Sequence, residues 1–159
     1  MKKLSLAMLM LLTFGLVFTS CKQQDADMTL SDLDNTDWLL GTWEMTSTVD
    51  YNITGADAAT EKEIKAATEK AIKENFMASP TTSMTVTKVN VRIFAGVLKG
   101  YVQMAGKEVP VPDGKSTISV KINKAKTKVS IYTDTEVSKT IADKKVNAKI
   151  SIAVTYTKK

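Results

Sequence analysis

The sequence holds 159 residues, 43% of them apolar and 25% charged, with a formal net charge of +5. That is the composition of one globular domain, and it excludes disorder along the whole length. There is no histidine and a single cysteine, which excludes Ser/His and Cys/His nucleophilic catalysis, histidine metal sites, an intrachain disulfide and a thiolate zinc cluster.

In chain order, Lys2 and Lys3 precede an apolar run from Leu4 to Phe18, the charged and apolar regions of a signal peptide. The run is shorter than the roughly 20 residues a membrane helix needs. Thr19 and Ser20 then lead into Cys21. This end resembles a bacterial lipoprotein signal, in which small residues precede a cysteine that is exposed by cleavage and acylated. Phe18 stands where that signal usually has an aliphatic residue. The resemblance implies a signal peptide over residues 1–20, a lipid on Cys21, and a mature chain anchored to a membrane without spanning it.

Residues 21–37 read as an acidic tether. They carry five aspartates (Asp25, Asp27, Asp32, Asp34, Asp37) and only three strongly apolar residues, Met28, Leu30 and Leu33. Fully extended, the stretch from Lys22 to Asp37 reaches about 50 Å. Acidic residues soon after a lipidated cysteine resemble the surface-export signals of Bacteroidota lipoproteins, which Lys22-Gln23-Gln24-Asp25-Ala26-Asp27 matches loosely. The implied address is the outer membrane, with cell surface and periplasmic face both open.

The rest of the chain, 38–159, is read from period two. Trp43, Met45, Ser47, Val49, Tyr51 and Ile53 alternate with polar neighbours, one inward face of a long strand. Thr60-Glu61-Lys62-Glu63 then forms a capping box that opens a helix over 60–76. Its apolar positions are Ile64, Ala67, Ala71, Ile72 and Phe76, its wet face carries Glu61/Lys65, Glu69/Lys73 and Lys70/Glu74 pairs, and Ser79-Pro80 stops it. Met84 and Val86, then Val89, Val91 and Ile93 on the other parity, predict a second strand with a bulge at Lys88–Val89. Ala95-Gly96 predicts a turn into a third strand through Leu98, Gly100, Val102 and Met104, and Ala105-Gly106-Lys107 predicts another turn. Val109 to Val111, with Pro110 inside it and Pro112 after it, reads as a short edge strand, and Asp113-Gly114 as a hairpin turn. Strands follow at Ile118–Ile122, Val129–Ile131, Val137–Ile141 and Val146–Tyr156, with turns at Asn123–Lys126, Thr133-Asp134 and Ala142–Lys144. The total is eight strands, a mainly β chain with one inserted helix between the first and second.

Gly41-Thr42-Trp43 at the head of the first strand resembles the Gly-x-Trp signature of the lipocalins and wider calycins. The combination of lipoprotein signal, early Gly-Thr-Trp and inserted helix is similar to the lipocalin-like lipoproteins of Bacteroidota, a largely uncharacterised family. The resemblance implies an eight-stranded antiparallel up-and-down β-barrel, with Gly41 and Trp43 as the plug that closes one end. That family's late arginine, which packs over the tryptophan, has no counterpart, since the only arginine is Arg92, expected on the second strand. Thr133-Asp134 matches part of the family's second motif, with Thr135 in place of its tyrosine.

No catalytic constellation emerges: there is no Gly-rich phosphate loop, EF-hand spacing or nucleophile elbow. Asp134 and Glu136 share a strand face at an expected turn, where carboxylates are normally solvated, and Glu44 has outward parity. The chain is therefore expected to be a non-enzyme without metal, cofactor or nucleic-acid partner. Lys121, Lys124, Lys126, Lys128, Lys139, Lys144, Lys145 and Lys149 make the later strands basic, a pattern that protects sheet edges or receives an anionic partner. Two functions compete. One is a membrane-anchored protein holding a small apolar or amphipathic ligand inside the barrel, with Met45 and Met104 as adaptable walls and Tyr51 and Tyr156 as polar handles. The other is an interaction module or inhibitor that engages a protein or glycan through the barrel exterior.

Overall fold

A computed structural model describes residues 25–75, 83–141 and 143–159 of the chain. Its strands are β1 (Ala26–Asp27), β2 (Gly41–Thr54), β3 (Ser83–Val86), β4 (Glu108–Val111), β5 (Gly114–Ile122), β6 (Lys128–Ile141) and β7 (Lys144–Lys158), and its helices are α1 (Ala58–Asn75) and α2 (Val91–Met104). Every pairing is antiparallel, in one sheet of order β1-β5-β6-β7-β2-β3, with β4 sharing the β5 edge with β1.

The alternation in β2 and β7 produces the expected one-sided sheet. Met45 pairs with Tyr156, Val49 with Ile152 and Tyr51 with Ile150, so the odd residues of β2 and the even residues of β7 share a face. Register carries that face to Val129 and Ile131 of β6 and then to Val120 and Ile122 of β5. Turn chemistry fixes the register: Asp113 and Asp143, both at φ 62, close the β4–β5 and β6–β7 hairpins. Gly114 tolerates no side chain, because a Cβ there would fall on the Glu136 carbonyl of the neighbouring strand.

Helix α2 lays Val91, Phe94 and Leu98 onto this apolar face. It runs from the β3 edge to β5, where Gly106 donates its N–H to the Ile118 carbonyl at 2.9 Å. Helix α1 carries Ile64, Thr68 and Ile72 on its inner side and brings the Lys65 ammonium 5.6 Å from the centroid of the Tyr51 ring. Among the described residues no helix is long and apolar enough to cross a membrane.

Several expectations need correction. The sheet has seven strands and is not closed into a barrel: β3 forms one edge, and β1 and β4 the other. The expected strands through Val89–Ile93 and Leu98–Met104 are the single helix α2, so Arg92 sits on a helix. The physical reason is a period of 3.6: Val91, Phe94, Leu98 and Tyr101 are spaced as one helical stripe, and the Cβ directions of Gly96 and Gly100 point to open space. The expected turn at Thr133-Asp134 lies inside β6, where Asp134 accepts a hydrogen bond from Ser151 on β7 at 2.5 Å. The expected inserted helix is present, between β2 and β3, but it starts at Ala58. Its cap is Asp57, whose carboxylate accepts the Thr60 N–H at 2.8 Å. Ala67 and Ala71 are exposed, and Phe76 lies outside the described residues.

The acidic segment read as a tether belongs to the fold from Asp25 onward. Asp25 pairs with Lys128 at 2.9 Å, Asp27 with Lys121 at 2.6 Å and Asp32 with Lys126 at 3.0 Å. Met28 is buried, and its N–H reaches the Val120 carbonyl at 2.9 Å. The segment is thus a strap that completes the outer edge of β5, and three of the lysines read as a basic stripe find their acidic partners in it. Two 3₁₀ turns, Leu30–Leu33 and Asp37–Leu39, continue the strap beneath α2 and lead into β2.

Candidate functional site

Gly41 and Trp43, the expected plug, stand at the head of β2, at one end of the sheet. The Trp43 side chain is fully buried, and its indole N–H donates to the Leu39 carbonyl at 2.7 Å. Trp38 and Phe94 meet its ring edge-on, with centroids 6.1 and 6.0 Å away. Above it lies the ammonium of Lys158, 5.9 Å from the ring centroid, donating to the Trp38 carbonyl at 2.9 Å. Gly41 lies at φ 125, and a Cβ there would press on the Lys158 Cε at 3.0 Å. Glycine, tryptophan and a late cation therefore form one interlocked unit.

Beside the plug is an apolar cleft of about 340 Å³. Met84 and Val86 of β3 form one wall, Ile93, Phe94 and Val97 of α2 the other, with Asn90 at the rim and Tyr156 of β7 at the base. Phe94 stacks edge-on against Tyr156 at 5.3 Å. Burial pushes the Tyr156 phenol up to about 12, with Tyr101 adding to the shift. The base of the cleft thus keeps a neutral hydroxyl through the whole physiological range.

A larger hollow of about 490 Å³ lies on the other face, towards the opposite end of the sheet. It is wide and polar, and its side chains already satisfy one another: Lys149 pairs with Glu136 at 3.3 Å, and Ser138 donates to Asn147 at 2.8 Å. Size alone does not make it the better site; an apolar wall that must otherwise stay wet favours the smaller cleft.

Of the residues expected to bind a ligand, the structure brings Met45 and Tyr156 together as register partners. Tyr51 shares their face, half-buried, farther along β2, and Met104 is 37% exposed at the end of α2. The four do not form one site. Cys21 lies outside the described residues. Glu44 faces outward, as its parity requires, and pairs with Lys159 at 2.8 Å. Phe94 and Val97 were missed because α2 was read as strands; the spacing Val91–Phe94–Leu98 was the available signal. No family model matches the chain, and no curated protein or solved structure matches it either.

Proposed function

We propose that the chain is a non-catalytic lipoprotein, anchored at the outer membrane through Cys21, whose domain binds a small apolar or amphipathic molecule. The observation that carries this reading is the cleft between β3 and α2. Its volume lies within the range of small-molecule sites, its walls are hydrocarbon and aromatic, and Tyr156 places a neutral phenol at its base. A lipocalin-like relationship draws support from the plug, where Lys158 lies over Trp43 much as that family's arginine packs over its tryptophan. In this reading the ligand sits beside an open sheet, under a helix.

Mass spectrometry of the native protein, purified without detergent, tests the binding. A co-purifying lipid or sterol-like species is the expected result, and its yield should fall in Val97→Asp, which places a charge on the cleft wall. Protein that is clean in every preparation would shift the reading to the second function, a module engaging a protein or glycan through its exterior. The exposed ring of Tyr132 on the solvent face of the sheet favours that alternative. Cys21→Ala tests the anchor: the variant should move from the membrane to the soluble fraction.

A further inference from the structure

Strand pairing gathers one end of the sheet from the Gly41 end of β2, the Lys158 end of β7, the Lys128 end of β6, the Ile122 end of β5 and the Val86 end of β3. Beyond it project the turn 87–90, the turn 123–127 and the C-terminal Lys159, whose neighbours are joined by Lys158 N–H donating to the Thr127 carbonyl at 2.8 Å. The strap enters the fold at this same end, where Asp25 is pinned to Lys128. Cys21 precedes Asp25 by four residues, which span at most about 14 Å of chain. The opposite end, near Thr140, is about 40 Å farther along β6.

The docked strap therefore removes most of the reach that the sequence offers to a tether. A lipid on Cys21 selects which end of the domain meets the bilayer, because only one end lies within range. At that end Val89 is 90% exposed, Ile93 60% and Leu30 44%, against Ile141 at 39% beside the far end. Ile93 is a wall of the cleft, and Tyr156, at its base, lies two residues before the last residue of β7. The acids Asp25, Asp27, Asp32 and Glu44 are each matched by a lysine here, and the two turns add the cations Lys88 and Lys124. Apolar side chains at a lipid surface need no net charge to be buried.

We propose that the end carrying the turns 87–90 and 123–127 rests on the phospholipid bilayer, with Val89, Ile93 and Leu30 in the headgroup region and the apolar cleft beside it. This rests on the reading of Cys21 as the lipid anchor. The full-length lipidated protein, reconstituted in phosphatidylcholine vesicles, carries one dye on Val89→Cys, Ala125→Cys or Thr140→Cys in separate preparations. A phosphatidylcholine with a nitroxide headgroup should quench the first two dyes at least threefold more than the third. If the protein floats with the vesicles but the three dyes are quenched alike, the orientation is overturned while the anchor stands. If the protein does not float with the vesicles at all, the anchor reading has failed, and the proposal falls with it.

Discussion

Trp43 concentrates more of the fold's packing than any other side chain at the plug. It is fully buried, hydrogen-bonded to Leu39, and in contact with Trp38, Phe94 and Lys158. Trp43→Ala leaves a void that these neighbours cannot fill, and urea denaturation should register a loss of about 3–5 kcal/mol. Its inward side was legible from period two alone, as was that of Met45 and Tyr156. The partner cation was not, because nothing local marks Lys158 among the many lysines of the chain; only the pairing of β2 with β7 brings it over the ring. Tyr156 supplies a second test, in alkali. Its folded pKa is raised to about 12, whereas an unfolded tyrosine ionises near 10. Below pH 10 both states hold the proton and stability is unaffected. Between pH 10 and 12 the unfolded state releases it first, so stability falls as pH rises, by on the order of 2 kcal/mol in all. Tyr156→Phe should flatten that alkaline loss in denaturation curves collected from pH 9 to 12.

Among the elements, β2, β5 and β7 and the turns at Asp113, Asn123–Lys126 and Asp143 were legible, because one buried face imposes strict alternation and these turns use residues at positive φ; the turn expected at Thr133-Asp134 was not there, because β6 runs through it. Helix α2 was not, since Val89, Val91 and Ile93 imitate a strand and Gly96 and Gly100 imitate turns. What decides the matter is tertiary: the apolar face of the sheet needs a cover, and the stripe of Val91, Phe94 and Leu98 provides it. The strap was illegible for another reason. Its partners are remote in sequence, Asp25 reaching Lys128 across the whole domain, and local polarity made it look solvated. Its binding should come mainly from Met28 and not from its ion pairs. A buried methionine truncated to alanine costs roughly 2–5 kcal/mol, while an exposed pair is worth about 1 kcal/mol or less. Met28→Ala should therefore destabilise the domain clearly more than Asp27→Asn does, as compared by their denaturation midpoints.

For the molecule as a whole, an open seven-stranded sheet with a helix across its face replaces the expected closed barrel of eight, and the candidate site moves from an enclosed lumen to a seam between helix and sheet edge. A seam can widen by a small shift of α2 against β3, whereas a lumen is limited by its hydrogen-bonded wall. Amide hydrogen exchange should therefore find a bound apolar ligand slowing exchange in α2 and β3 while leaving the β5–β6–β7 hairpins unchanged. The strap has a mechanical consequence as well. Force applied through Cys21 would be borne first by the two-residue pairing of β1 with β5 and by its lysine contacts. They are few, and they lie across the strand axis. Once these and the buried Met28 yield, the residues from Asp25 to Asp37 would extend as slack of about 45 Å before tension reaches β2, so the strap would act as a fuse that spares the sheet when Cys21 and the domain are pulled apart.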